Sequence, residues 1–386
     1  MVGENPNLSR KTADVVVIGG GVIGLSVARA LALRGIRNVM VIERASLGSE
    51  ASAAAAGMLA PQAEADCADD FFSLACKSRD LYPSLAEALR EETGTDIELD
   101  TTGTLYLAFT EPDEEEIERR YDWQTRAGLP VQRLSAGDVR LLEPCISPNI
   151  RAALRFPLDI QVENRRLVKA LAESNEKHGV LIITGTTVES IRIERSRIEG
   201  LETSRGFVST PDVVVAGGAW TSFLKARDKA LPDLSIEPVR GQMICFEANP
   251  RVARHIIYSS RGYIVPRMDG RVLGGSTTEP VGFDKRVTAA GMHSILSHAL
   301  EICFGVSALP VIDSWAGLRP RAPDSLPVLG PYAEIAGLFY ATGHYRNGIL
   351  LAPITGELIA EAITEKSASP LLGAFAPERF ELMAVN

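Results

Sequence analysis

The chain has 386 residues, enough for two domains with buried cores, and 46% apolar with 23% charged residues places it among ordinary globular proteins rather than disordered or fibrous ones. A formal net charge of −9 argues against nucleic acid as a main partner and offers no basic face to anionic lipid. The five cysteines (Cys67, Cys76, Cys145, Cys245, Cys303) are odd in number and scattered without a C-x-x-C pair, which indicates neither a disulfide framework nor a zinc site and fits a reducing cytoplasm.

The N-terminus, Met1 to Thr12, is polar, is expected to fray, and lacks the apolar core of a secretory signal. From Asp14 to Glu43 the chain reads as a βαβ unit. An apolar run, Val15 to Ile18, turns through Gly19-Gly20-Gly21-Val22-Ile23-Gly24, continues as a helix to Arg34, breaks at Gly35 and re-enters a strand at Val39 to Ile42 that ends on Glu43. This is the dinucleotide fingerprint, G-x-G-x-x-G with an acid about twenty residues on. Gly19 permits the tight turn, Gly21 lets a pyrophosphate approach the backbone, and Gly24 lets helix and strand pack closely. The free N–H groups and positive end of the helix face the phosphates, and Glu43 can accept from a ribose diol. Val15 to Ala28 is the longest apolar stretch, but it is too short and too rich in glycine for a membrane span, so a soluble protein is predicted.

Gly48 to Met58 is made of small residues, and Ser52 with the flanking glycines suggests a loop and helix start lying against something large and flat. Asp69 to Thr93 is an amphipathic helix that Pro83 should kink or split. A strand is predicted at Gly103 to Phe109, a charged solvated helix at Glu111 to Ala127 and a helical turn at Asp138 to Glu143. Two short extended pieces, around Leu154 and Val162, precede a helix from Arg165 to Lys177 that Asn164 would cap and Gly179 would end. Strands follow at Val180 to Ile183, Val188 to Ile193 and Gly200 to Thr203. A second apolar strand, Asp212 to Ala216, ends on Gly217-Gly218.

After Pro232 the pattern becomes that of a second sheet, with strands at Val239 to Phe246, Tyr263 to Arg267, Val272 to Gly275 and Val311 to Leu318, and a helix from Ala289 to Phe304. His293 and His298 lie five apart on that helix, which is not the spacing of a helical metal pair, so no metal site is expected. The chain closes with another βα unit: Leu338 to Gly343, a loop over His344 to Gly348, and a helix from Ile349 to Glu365 with Pro353 in its tolerant first turn. Three glycine-ended strands thus feed one sheet edge.

Four stretches then carry a resemblance: Ala54-Ala-Ala-Gly-Met-Leu-Ala60, Tyr263-Ile-Val-Pro-Arg267, Trp315-Ala-Gly-Leu-Arg-Pro320, and the long Gly343-His-Tyr-Arg-Asn-Gly-Ile-Leu-Leu-Ala-Pro-Ile-Thr-Gly356. Together they span nearly the whole chain. The sequence resembles the FAD-dependent amine oxidase superfamily that includes D-amino acid oxidase and monomeric sarcosine oxidase, and within it the glycine oxidase branch of the thiamine pathway. The resemblance implies an α/β fold: a Rossmann-like FAD-binding domain (1–90, 150–235 and 320–386) interleaved with a substrate domain (91–149 and 236–319) on a mixed, largely antiparallel sheet. It implies FAD lying extended, with Gly19, Gly21, Val22, Ile23 and Gly24 at its phosphates, and Glu43 and Arg44 at its ribose. Ala51, Ser52, Ala56, Gly57, Met58 and Gly217 would flank the pyrophosphate and flavin, and the Val188 backbone would touch the adenine. The loop His344, Tyr345, Arg346, Asn347, Gly348, Ile349 and Leu350 would approach the flavin ring, with the positive helix end behind it.

For chemistry the resemblance implies that Arg319 grips a substrate carboxylate, which its planar guanidinium can hold by both oxygens, and that Tyr263 adds a hydroxyl bond. Arg346 would order the flavin loop or the substrate side. No cysteine follows Trp315, so the FAD is expected to be non-covalent. Ser260-Arg261-Gly262 and Ser276-Thr277-Thr278 should lie near the pocket with no assignable role. The implied activity is oxidative deamination of glycine or another small amine, with dioxygen as oxidant. A homo-tetramer is implied, with thiazole synthase as a partner. A D-amino acid or sarcosine oxidase, a dehydrogenase, or a flavin-binding subunit without turnover remain as alternatives.

Overall fold

The computed structural model describes residues 11–227 and 229–380. The stretch before Lys11, expected to fray, lies outside them. Lys11–Thr12 is not frayed: it pairs in parallel with Gly206–Ser209.

A six-stranded sheet carries the fingerprint. Its order is Val328–Pro331, Leu338–Thr342, Asp212–Val215, Val15–Ile18, Val39–Ile42 and Leu181–Ile183, with only the first pair antiparallel. The central strands are apolar at nearly every position because both faces of the sheet are covered, one by helices and the other by a second sheet. Val15, Val16 and Val17, like Val213, Val214 and Val215, are almost wholly buried. Parallel register brings the ends of Val15–Ile18, Val39–Ile42, Asp212–Val215 and Leu338–Thr342 to one edge, which delivers Gly19, Glu43, Gly217 and Gly343 side by side. Ligands of open α/β sheets bind at such carboxyl edges.

A five-stranded sheet (Lys11–Thr12, Gly206–Ser209, Arg197–Thr203, Val188–Glu194, Ala226–Arg227) packs on the face away from the helices, with Ile191, Ile193, Leu201 and Val208 in one core with Val16, Val213 and Val215. The third large sheet has eight strands in the order Val311–Arg321, Glu237–Glu247, Arg271–Gly275, Gly262–Pro266, Ile256–Ser259, Thr104–Ala108, Ala152–Phe156, Gln132–Ser135. All its neighbouring pairs are antiparallel except Ile256–Ser259 with Thr104–Ala108. Ala152–Phe156 therefore sits in this sheet and not in the dinucleotide unit expected from residue 150.

Three local outcomes matter for the site. The helix expected over 69–93 splits at Leu81 into Asp70–Asp80 and Tyr82–Thr93, with Pro83 in the first turn of the second. Asn164 does not cap the next long helix. Glu163 is the N-cap, accepting from Arg166 N, and the helix is Asn164–Lys177. Asn164 instead donates to the carbonyls of Ser52 (2.7 Å) and Ala53 (3.2 Å), bracing the small-residue segment.

Finally, the last long helix starts at Gly348, so Pro353 lies inside it and not in its first turn. Proline has no N–H for the Ile349 carbonyl four residues back. The Tyr82 hydroxyl donates to that carbonyl instead, and Ser78 Oγ donates to the Leu350 carbonyl at 2.6 Å. No helix among the described residues is long and apolar enough to cross a membrane.

Candidate active site

One cavity of about 620 Å³ runs from the glycine edge of the six-stranded sheet to the face of the eight-stranded sheet. At its first end Gly19 leaves the strand with φ +109°, and a Cβ there would meet the Ala216 carbonyl at 2.4 Å, so only glycine fits this turn. Gly21 lines the wall and precedes the helix Val22–Leu33. Ser52 Oγ accepts the Val22 N–H at 3.0 Å. Glu43 is held by two backbone N–H groups, Gly20 on Oε2 and Ala45 on Oε1, each at 2.8 Å. Each carboxylate oxygen keeps a lone pair for a diol. Thr186, Thr187, Val188 and Glu189 close the wall beyond Glu43.

The Ala51–Ala54 helix and the extended Ala55–Met58 stretch form the long side of the cavity. Their position is fixed from outside. Trp315 Nε1 donates to the Ala54 carbonyl (3.1 Å), and the buried Arg267 donates to those of Ala56 and Val162 (both 2.8 Å). Burial pulls the Arg267 guanidinium down to about 10, so it stays charged at neutral pH.

At the opposite end the eight-stranded sheet presents Arg319, Tyr263, Met243, Gly241 and Ser276. Antiparallel register sets Met243 opposite both Trp315 and Gly275, and Gly275 opposite Tyr263. Arg319 lies flat across Gly241, where a Cβ would stand 2.3 Å from either terminal guanidinium nitrogen. Its bonds go to the Thr277 carbonyl (Nη1, 3.0 Å) and Ser276 Oγ (Nη2, 2.7 Å). Arg319 pairs with no carboxylate among the described residues. A half-buried guanidinium with only neutral partners at the wall of a cavity is a ready carboxylate site. Tyr263 donates to Met243 Sδ, a weak acceptor 3.4 Å away.

The loop after Leu338–Thr342 closes the remaining side. His344 is buried, with Nε2 3.0 Å from Thr355 Oγ1, and burial pulls its imidazole down to about 3, so it is neutral. His344, Tyr345, Arg346, Asn347, Gly348 and Ile349 line the cavity. Leu350 does not: its side chain packs into the core beneath. Gly24 is likewise absent from the wall, since it packs against the Gly19 carbonyl. Arg346 is already matched. It reaches Glu64 (3.3 Å) and the Tyr258 hydroxyl (3.1 Å), and the Glu64 carboxylate holds its guanidinium well above the ordinary range.

Several wall residues carried no signal in the sequence, although Ser276 was expected near the pocket. Met243 and Gly241 reach the cavity through sheet register, Glu64 from the short helix Pro61–Glu64 and Trp220 from the helical turn Gly218–Phe223. Arg44 stacks over Trp220 at 3.9 Å and pairs with Glu50 at 3.1 Å, so it shapes the cavity rim. The expectation for Ser260-Arg261-Gly262 is corrected: Arg261 pairs with Glu301, Ser260 bonds Asp113, and none of the three lines the cavity. Ser276 does line it, Thr277 touches Arg319 through its carbonyl, and Thr278 stays outside. No cluster that could hold a metal occurs among the described residues.

The glycine turn at Gly19, the Glu43 carboxylate and the helix start at Val22 fit an extended dinucleotide. A family model described as FAD dependent oxidoreductase matches residues 14–362. The chain belongs to this family. The glycine oxidase of Geobacillus kaustophilus (strain HTA426) is 39% identical over 368 residues, covering 95% of this chain and 97% of that protein. The bifunctional protein ThiO/ThiG of Trichormus variabilis is 36% identical and covers 97% of this chain but 56% of that protein. A crystal structure of glycine oxidase from Geobacillus kaustophilus superposes with a TM-score of 0.90 at 37% identity, covering 96% of this chain and 99% of that one. FAD is the cofactor of the family, and the cavity from Glu43 to Ile349 has the glycine cradle, diol acceptor and helix start that FAD requires.

Proposed function

We propose that the protein is a glycine oxidase. It converts glycine, dioxygen and water to glyoxylate, ammonia and hydrogen peroxide, and accepts other small amines such as sarcosine or D-alanine. The observation that carries this reading is Arg319: a guanidinium without a carboxylate partner among the described residues, facing the cavity beside the Tyr263 hydroxyl. FAD would be held non-covalently by Gly19, Gly21, Val22, Ile23, Glu43, Ser52, Gly57 and the 344–349 loop. When bound, it accepts the electron pair and proton lost from the substrate α-carbon and passes the electrons to dioxygen.

Arg319 takes both carboxylate oxygens, and Tyr263 exchanges its weak bond to Met243 for a third. This fixes the α-carbon against the 344–349 loop, so binding at the carboxylate becomes orientation at the reacting carbon. Met58, Ala56 and Met243 add apolar surface to the same cavity. The amine sheds its proton to solvent before oxidation, so no dedicated base is required. Glu64 and Arg346 form a matched pair on the adjoining wall, whereas Arg319 has no carboxylate partner among the described residues.

Anaerobic titration of the yellow protein with glycine, sarcosine, D-alanine and D-proline, followed by air, tests the reading. Bleaching by glycine with rapid recovery in air supports it. Bleaching only by bulkier D-amino acids reassigns the substrate, and bleaching without recovery makes the protein a dehydrogenase. The relationship to fused ThiO/ThiG proteins supports a supporting role in thiazole formation, with a thiazole synthase as partner. We further propose a cytoplasmic homo-tetramer, to be checked by light scattering.

A further inference from the structure

Residues 276–288 join the strand Arg271–Gly275 to the helix Ala289–Ile302 and pass the substrate end of the cavity. Arg319 touches this segment twice, at the Thr277 carbonyl and Ser276 Oγ. Both acceptors are neutral, so they direct the guanidinium without consuming its charge. What holds the acceptors is a carboxylate one step further out.

Glu279 sits at the centre of that support. Thr277 Oγ1 donates to Glu279 Oε1 at 2.5 Å and accepts the Gln242 N–H at 2.9 Å. Gln242 Nε2 donates to the same Oε1 at 2.7 Å and to Thr288 Oγ1 at 3.0 Å, while its Oε1 accepts the Thr288 N–H at 2.8 Å. Glu279 Oε2 pairs with Arg240, which is 4% exposed, and the two residues exchange both backbone hydrogen bonds at 2.9 Å. Asp284 flanks Arg240 from the same segment, 3.3 Å from Nη1. The side of Gln242 is kept clear by Gly291, where a Cβ would lie 2.2 Å from Nε2. Burial would raise the Glu279 carboxyl, but bonds from Arg240, Thr277 and Gln242 outweigh it and hold the group below the ordinary range.

We propose that Glu279 is a positioning residue for Arg319: through Thr277 it fixes the carbonyl that aims the guanidinium, while Arg240 absorbs its charge so that Arg319 stays unneutralised. A direct Arg319–Glu279 pair would hold the arginine equally well but would compete with the substrate carboxylate. Placing the acid one residue away separates orientation from neutralisation. The inference rests on the reading that Arg319 binds the substrate carboxylate.

The test uses the FAD-loaded protein, with rates expressed per bound flavin. In Glu279→Gln the side chain can no longer accept from Thr277, Gln242 and Arg240 together. The KM for glycine should rise about tenfold with kcat changed less than about twofold, a loss of ground-state and transition-state binding alike. The dissociation constant of acetate, a carboxylate without the amine, read from the flavin absorption band, should rise by the same factor. Thr277→Val, which removes only the hydroxyl link, should move KM and acetate binding in the same direction by a smaller factor, and it serves if Glu279→Gln does not fold. The proposal is overturned if both variants keep KM and acetate binding within twofold of the parent, or if they lose flavin and melting temperature while the remaining holoenzyme binds acetate normally. Arg319→Ala separates the layers. An unchanged KM there sinks the substrate-clamp reading itself, whereas a raised KM there with normal Glu279→Gln binding sinks only the role of Glu279.

Discussion

At the residue scale, the substrate end depends on what is missing from Gly241. The Arg319 guanidinium occupies the space a Cβ would take, so Gly241→Ala must push it off the sheet face. Hydrogen bonds to charged groups are worth about 1.5–3 kcal/mol. Losing one aligned carboxylate contact should therefore raise the KM for glycine roughly ten- to a hundredfold, with flavin content retained because Gly241 is remote from the fingerprint. Steady-state kinetics beside flavin quantitation decides this, and a normal KM would mean that Arg319 is not the carboxylate ligand. His344 makes a second residue-level prediction. Buried and neutral, with its pKa drawn down to about 3, it binds no proton in the fold where an unfolded histidine would near pH 6.5. The unfolded chain thus takes up more protons between those values, and stability is full above about pH 6.5 and falls as pH drops below it. Between pH 7 and pH 5 the loss from this one group is about 2 kcal/mol. Denaturant melts across that window should show the slope in the parent and a shallower one in His344→Asn, and parallel slopes would remove His344 as the cause.

At the element scale, the helix Gly348–Glu365 follows the cavity loop and carries a proline in its second turn. The Ile349 and Leu350 carbonyls that Pro353 disturbs are taken by Tyr82 and Ser78, from the two helices made by the break at Leu81. Tyr82→Phe leaves the buried Ile349 carbonyl without a donor and should cost about 1–3 kcal/mol, read as a lower denaturation midpoint at unchanged slope. An undiminished midpoint would mean that the helix closes its own ladder there. This element also marks where sequence reading stops. The split near Pro83, the glycine-ended strands and the acid at Glu43 were legible because each is a local signal: a ring that cannot donate, a turn only glycine can make, an apolar run ending on a carboxylate. That Pro83 and Pro353 belong to one arrangement was not legible, since residues some 270 positions apart share no periodicity. Asn164 was misread as a cap for a similar reason. Its side chain serves the Ser52 and Ala53 carbonyls, while Glu163 caps the helix. Met243 and Gly241 entered the site through antiparallel register and Glu64 through the packing of a one-turn helix, for which no spacing rule exists.

At the scale of the whole molecule, the cavity wall draws on at least six separate stretches, from Ile18–Ile23 to His344–Ile349, and on all three large sheets. Such a wall is assembled only when the chain is folded, so FAD binds the native state and not the unfolded one. At a hundred times its dissociation constant, a ligand of this kind adds about 2.7 kcal/mol to stability. Removing FAD by mild chaotrope dialysis should lower the melting temperature, and adding FAD back should restore it along a logarithmic dependence on concentration. A melting temperature indifferent to FAD would contradict a wall that exists only in the native state. The same linkage reaches into the cell. Unfolded chains are what proteases consume, so the abundance of this protein should follow the supply of riboflavin even when its synthesis rate is constant, and vitamin starvation would deplete the polypeptide itself as well as its activity.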